Sequence, residues 1–263
     1  MHIIDSHVHA WPDAIAEKAI GAPDESLHAL GDGKVRGLLD ALDKAGIAHA
    51  VVVTIANEAR HVASNNAFAG SLESPLLAFG SIHAELSAEE NVASLRANGL
   101  RGVKLNPPFQ GFALDDPRLR ETLDALQGEF VLLTHTGVGG ATGSEATCTP
   151  AMVRQLARDF PRLDIVAAHF GGYHKLDDAE RDLVGAPVYL DTSWPPSMAE
   201  LDRGRIRRLI ERHGPDRILF GSDWPMGDPV AAIAAVEALG LPDEHVSAIL
   251  GGNAARLLGL SIV

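Results

Sequence analysis

Short apolar runs alternate along this chain with longer stretches in which apolar residues recur every three or four positions. The runs fall at 2–8, 49–55, 76–82, 101–105, 130–135, 164–169, 187–191 and 217–222. Most are rich in Val, Ile, Leu and Phe and nearly free of charge, as parallel strands buried on both faces should be. The intervening stretches carry helix ends. Ser87-Ala88-Glu89-Glu90 is a capping-box pattern ahead of Val92, Leu95 and Leu100. Asp116-Pro117 and Thr149-Pro150 place a capping residue before a proline at a first helical position. Gly46, Gly99, Gly128 and Gly185 follow helical runs where a left-handed cap is expected. Strand starts are mostly about 25–35 residues apart, the size of a β-α-β unit. Eight such units predict a single (β/α)8 TIM barrel, one α/β domain over 1–263, with a doubly wound open sheet as the structural alternative. The segment 10–33, with Pro12, Pro23 and several Gly and Asp, reads as a long first βα loop with little regular structure.

Composition narrows the class. Hydrophobic content of 46% and charged content of 22% fit an ordinary globular protein. A net charge of −13 argues against nucleic acid or an anionic membrane surface as partner. Cys148 is the single cysteine, which excludes an internal disulfide and suggests a reducing, cytoplasmic setting. The N-terminus shows no secretory pattern, and no apolar run approaches the ~18 residues of a membrane span. A small molecule is the expected partner, and a homodimer is the candidate assembly.

The chemistry sits at the ends of the predicted strands. Asp5-Ser6-His7-Val8-His9 ends strand one, and residues two apart in a strand face the same way. His7 and His9 therefore project side by side. His135 ends strand five, His169 ends strand six and Asp223 follows strand eight. In a (β/α)8 barrel these positions share the C-terminal rim, where active sites lie. One buried histidine commonly just satisfies backbone groups; five metal-ligating or proton-transferring types at equivalent strand ends do not fit that reading. His2, His49 and His213 lie at or before strand starts and belong near the opposite face. His61, His83 and His174 follow strands and are weighed between substrate contact and a surface or supporting role, while His28 falls in the first loop and His245 in a C-terminal helix.

These segments together resemble the amidohydrolase superfamily, in its amidohydrolase family 2 branch. The matches are Asp-Ser-His-Val-His at 5–9, Gly-Val-Lys-Leu-Asn-Pro at 102–107, Leu-Leu-Thr-His-Thr-Gly at 132–137, Ala-His-Phe-Gly-Gly at 168–172, Arg-Ile-Leu-Phe-Gly-Ser-Asp-Trp-Pro at 217–225 and Gly-Asn-Ala-Ala-Arg-Leu-Leu-Gly-Leu at 252–260. The resemblance implies a distorted (β/α)8 barrel with metal on His7, His9, His135 and Asp223, and a catalytic, usually non-ligating His169. The branch includes aminocarboxymuconate-semialdehyde decarboxylase and other aryl decarboxylases, lactonases and further hydrolases, so the substrate stays open.

Three imidazoles and one carboxylate suit one Zn²⁺ best among the common divalent ions. Such an ion makes hydroxide available near neutral pH, and Asp223 and His169 are placed to handle protons. Asp5 is weighed between orienting a ligand histidine and a structural role under the barrel floor. Lys104 on strand four has three competing readings: a carbamate bridging two metals, a contact to a substrate carboxylate, or a structural ion pair. Trp11, Asn106, Phe109, Trp194 and Trp224 follow strand ends and, with Lys104, are candidate substrate-binding residues; ordinary packing is the competing role for the tryptophans. Three functions follow: metal-dependent hydrolysis of a small lactone, amide or ester; non-oxidative decarboxylation of an aromatic or muconate-like acid; and ligand binding without catalysis on a retired barrel. The compact length favours hydrolysis.

Overall fold

Buried apolar runs do become strands, and they do so in chain order. The computed structural model describes residues 2–21, 28–139 and 147–261. Its strands are β1 (Ile3–Val8), β2 (Ile47–Val53), β3 (Leu76–Ser81), β4 (Gly102–Leu105), β5 (Val131–Thr134), β6 (Asp164–Ala167), β7 (Tyr189–Asp191) and β8 (Ile218–Leu219). They form one eight-stranded sheet in the order β1 to β8. Helices lie between them: α1 (Asp13–Ile20), α2 (Val35–Ala45), α3 (Val62–Gly70), α4 (Ala88–Ala97), α5 (Pro107–Gln110), α6 (Arg120–Leu126), α7 (Pro150–Asp159), α8 (Leu176–Asp182) and α9 (Arg203–His213), followed by α10 (Pro229–Glu237), α11 (Asp243–Ser247) and α12 (Asn253–Leu258). This is the (β/α)8 barrel, not the open sheet.

The chain divides into two compact units. One comprises Met1–Val52, Ser74–Leu77 and Leu190–Val263, and the other Val53–Glu73 and Ala78–Tyr189. In the first, β1 pairs in parallel with β2, Ile3 opposite Ile47, and β7 with β8, Leu190 opposite Ile218. The run 217–222 keeps only two residues as β8. Beyond them the chain turns along β1: the Ser6 N–H donates to the Phe220 carbonyl at 2.8 Å and the His9 N–H to that of Trp224 at 2.7 Å. Asn253 anchors α12 beneath β8 by donating to the Ile218 and Pro215 carbonyls.

In the second unit β4 pairs with β3 and β5, and β5 with β6, all parallel. Their side chains, among them Val103, Leu105, Leu132 and Ile165, are almost wholly excluded from water. Burial of each contributes about 1.5–3 kcal/mol, which is why these runs carry so little polarity. Asn66 on α3 accepts from the Ser81 N–H at 2.7 Å and donates to the Ser81 carbonyl at 3.1 Å, docking the helix on the end of β3.

The local signals hold. Ser87 and Glu90 form the full capping box of α4, Thr149 caps α7 through the Met152 N–H, and Asp116 accepts from the Arg118 N–H. Gly46, Gly99, Gly128 and Gly185 all have positive φ. One expectation is corrected: α1 stands within the segment read as an irregular loop. Proline is tolerated at a helix start, and Pro12 precedes a window of good helix formers, Ala14, Ala16, Glu17, Lys18 and Ala19. The helix buries only Ala16, and at eight residues it is too short for Ile15, Ala16, Ala19 and Ile20 to stand out as a helical repeat. Residues 22–27, Pro23 among them, lie outside the described residues. No described helix is long and apolar enough to cross a membrane.

Candidate functional site

Two groups of side chains contain the candidate residues for chemistry, one in each unit. In the first, His7 on β1 and His9, just past its end, bring their ring centroids within 5.3 Å of each other. Asp223 reaches them because its own segment runs beside β1, its N–H donating to the His7 carbonyl at 2.9 Å. The Asp223 carboxylate oxygen Oδ1 is 3.3 Å from His9 Nε2 and 3.8 Å from His7 Nε2. One ligand atom from each of the three falls within 4.8 Å of the others. Two imidazole nitrogens and a carboxylate oxygen facing one point make a donor set for a divalent cation.

The surroundings hold that set in place. Asp223 adopts φ 61°, and among the described residues only His169, Phe170 and His174 share a positive φ without being glycine. Such backbone costs of order 1 kcal/mol and persists where the fold over-determines it, often at functional sites. Gly221 packs so closely on His7 that a Cβ there would lie 2.9 Å from the His7 Cβ, and any larger residue would displace the imidazole. His7 Nδ1 lies 2.8 Å from Asp191 Oδ2 at the end of β7. A carboxylate only accepts, so Nδ1 carries the hydrogen and Nε2 turns its lone pair toward Asp223. Ser193 completes the arrangement: its hydroxyl donates to Asp191 Oδ1 and lies 3.2 Å from His7 Nδ1.

Asp191 is thus the orienting carboxylate, one of the two roles weighed for Asp5, which takes the other, structural one. Asp5 instead serves the backbone: its Oδ1 accepts from the N–H groups of His7 at 3.2 Å and Ser222 at 3.0 Å. Burial drives its pKa up to about 7 against those hydrogen bonds. Asp191 went unnoticed because nothing within its own segment marks it except its place at a strand end, the signal already used for Asp223.

We expect Asp191→Asn to weaken binding of the divalent ion about 10–100-fold, the usual effect of removing a carboxylate that orients a ligand histidine. Competition with a chromogenic chelator measures this directly, and an unchanged dissociation constant would remove the role.

In the second unit, His135 and His169 meet edge to face, their centroids 4.8 Å apart. His169 Nε2 lies 3.0 Å from His135 Nδ1, and His135 Nε2 lies 3.0 Å from the Val138 carbonyl oxygen. A carbonyl only accepts, so neutral His135 carries its hydrogen on Nε2 and accepts at Nδ1 from the His169 Nε2–H. His169 and Phe170 have φ 61° and 52°, in a tight turn directly after β6. The Tyr173 ring lies 5.2 Å from that of His169. Cys148 donates its thiol to the His135 carbonyl at 2.6 Å, and burial pushes the thiol up to about 12, so it is a packing and hydrogen-bonding residue and no nucleophile.

The remaining candidates are placed as follows. Lys104 is fully buried on β4, in the unit that holds His135. Asn106 begins α5 and is buried, while Phe109 on α5 is half-buried. Trp11 stacks on His9, with ring centroids 5.7 Å apart and planes 12° from parallel. Trp194 and Trp224 are buried, Trp224 against Gly31.

Comparison with known proteins bears on the family and the fold. The family model described as Amidohydrolase (Amidohydro_2) matches residues 4–260. An uncharacterised TIM-barrel protein from Bordetella bronchiseptica superposes with TM-score 0.75 at 21% identity, covering 98% of this chain and 99% of its own. The 5-carboxyvanillate decarboxylase from Sphingomonas paucimobilis gives 0.72 at 16% identity, covering 99% of each chain. A probable 2-pyrone-4,6-dicarboxylic acid hydrolase from Acinetobacter baumannii, with citric acid bound, gives 0.69 at 20% identity, covering 99% of this chain and 100% of its own. At these identities the likeness is one of fold. The curated proteins give no match.

Proposed function

This chain belongs to the amidohydrolase family, and from that premise we propose that it is a metal-dependent hydrolase of a small carbonyl substrate, a lactone, amide or ester. The observation that carries the reading is the His7, His9 and Asp223 cluster, with one ligand atom of each within 4.8 Å of the others. In this proposal the three would hold one Zn²⁺ with His135, whose inclusion rests on the family pattern and would require one of its ring nitrogens to give up its present partner, the Val138 carbonyl or His169. When bound, a divalent ion supplies Lewis acidity, which polarises a carbonyl oxygen and acidifies water. Asp191 fixes the His7 tautomer so that Nε2 is the ligating atom. The Asp223 carboxylate accepts a proton from the attacking water, and His169 returns one to the leaving group. Trp11, Lys104, Asn106, Phe109, Trp194 and Trp224 are the proposed substrate contacts, with Lys104 unmodified. The partner is then a small molecule.

A second reading is favoured by the decarboxylase structures that share the fold over their full length. There the carbon–carbon bond to the carboxylate breaks, CO₂ leaves, and the carbon takes a proton from an acid such as His169. A panel of lactones, amides, esters and aromatic acids, assayed with the metal-loaded protein, separates the two. Hydrolysis of at least one carbonyl compound is expected; CO₂ release from aromatic acids with no hydrolysis would replace the first reading with the second.

A further inference from the structure

The turn that carries His169 is closed at both ends on the segment that carries His135. At the near end Thr134 of β5 pairs with Ala167 of β6, and the Ala168 N–H donates to the Thr134 carbonyl at 3.0 Å. At the far end Gly137 pairs in parallel with Tyr173 as an isolated bridge. There the Tyr173 N–H donates to the Thr136 carbonyl at 2.8 Å, and the Val138 N–H donates to the Tyr173 carbonyl at 2.9 Å. Between the two pairings, His135 and Thr136 face the longer stretch 168–172. That stretch takes up its excess length in the turn where His169 and Phe170 hold positive φ. Such backbone persists only where its surroundings over-determine it.

Only glycine admits the far pairing at position 137. Its φ is 105°, and a Cβ there would run into the backbone N and O of Tyr173, a clash that no side-chain rotation relieves. Tyr173 is buried, and its ring meets both imidazoles. Its centroid lies 5.2 Å from that of His169 and 6.3 Å from that of His135, within the range of favourable aromatic pairs. With the two imidazoles 4.8 Å apart, the three rings form one cluster in which each meets the other two. The hydrogen bonds also lead back to this residue. The Tyr173 carbonyl holds the Val138 N–H, the Val138 carbonyl accepts from His135 Nε2–H at 3.0 Å, and His135 Nδ1 accepts from His169 Nε2–H at 3.0 Å. The tautomers of both histidines are thus set from the Tyr173 end of the chain.

We propose that Tyr173 is a positioning residue for the His135–His169 pair. Its main chain, seated on Gly137, fixes the Val138 carbonyl that sets the His135 tautomer, and its ring holds the two imidazoles against each other. A single hydrogen bond between two side chains stabilises too weakly to hold a strained turn by itself, so the alignment comes from the backbone pairing and the ring contacts. The inference rests on the reading that His169 transfers protons, and it adds which residues keep that imidazole aimed. Gly137 and Tyr173 act through the histidines and take no part in bond making or breaking.

The imidazole ¹⁵N signals of the full chain, freed of metal by a chelator, report the pair directly, with the rings assigned from His135→Asn and His169→Asn. The wild type should show a His169 Nε2–H that exchanges slowly with water and a His135 that carries its hydrogen on Nε2. Tyr173→Leu keeps the main chain and removes the ring. It should speed exchange of the His169 proton about 10-fold, the local stability that goes with roughly one hydrogen bond. Gly137→Ala breaks the backbone pairing; it should speed that exchange at least as much and return His135 to a mixture of tautomers. Tyr173→Phe keeps both ring and main chain and should match the wild type. Backbone amides of β5 should keep their exchange rates in both Tyr173 variants, because the strand pairing is untouched. A role in stability alone would speed those amides together with the imidazole proton. That joint loss would overturn the proposal, as would an unchanged His169 proton in Tyr173→Leu, a Tyr173→Phe variant as impaired as Tyr173→Leu, or a wild type with no protected His169 proton. If Gly137→Ala does not fold, the two Tyr173 variants decide. No turnover is measured, so a failed hydrolysis screen with an intact pair removes the hydrolase reading and leaves the role of Tyr173 standing.

Discussion

Asp223→Asn is expected to leave a folded barrel that no longer holds its metal. The wild-type protein should carry one divalent ion per chain after dialysis against metal-free buffer, and the variant well under a tenth of that. Asn removes the carboxylate charge yet tolerates the left-handed backbone that Asp223 adopts at φ 61°, which alanine would strain. The backbone hydrogen bonds from Asp223 N–H to His7 and from Met226 N–H to Asp223 persist, so the metal-free melting temperature should scarcely move. His7→Ala provides the contrast. It removes a ligand and also strips the fully buried Asp191 carboxylate of its imidazole partner, so the metal-free protein should lose about 3 kcal/mol as well. Elemental analysis and thermal melting of the same samples check both. Stoichiometric metal in Asp223→Asn would discard the proposed ligand set, and two ions per chain in the wild type would make Lys104 the candidate carbamate bridge.

His169→Asn should leave fold and metal content intact while lowering kcat about 10²–10⁴-fold, the range for losing a general acid–base. Asparagine again suits the positive φ at this position. The substitution removes the imidazole that lies 3.0 Å from His135 Nδ1, and losing that one hydrogen bond should cost about 1 kcal/mol. Turnover, metal content and melting temperature on one preparation discriminate the roles. A large fall in melting temperature with kcat preserved in the surviving fraction would make His169 a structural residue and move proton transfer elsewhere.

Much of this protein is decided by short-range rules visible in the chain. Buried parallel strands must be nearly all apolar, helix ends must satisfy their loose N–H and carbonyl groups, and a histidine two residues from another in a strand must share its face. Those rules placed the eight strands, the caps at Ser87, Asp116 and Thr149, and the paired projection of His7 and His9. They failed for α1, an eight-residue helix that buries one alanine and is too short for its apolar spacing to stand out. What only the tertiary structure decided are contacts between segments remote in sequence. Asp191 meets His7 across 184 residues, Gly221 leaves room for the His7 imidazole, and Asp223 arrives between His7 and His9 because β8 breaks after Leu219 and the chain turns along β1. A residue's type and its neighbours along the chain set what it is able to donate or accept; which atom it faces is set by how the strands pair and stagger, and no local pattern records that.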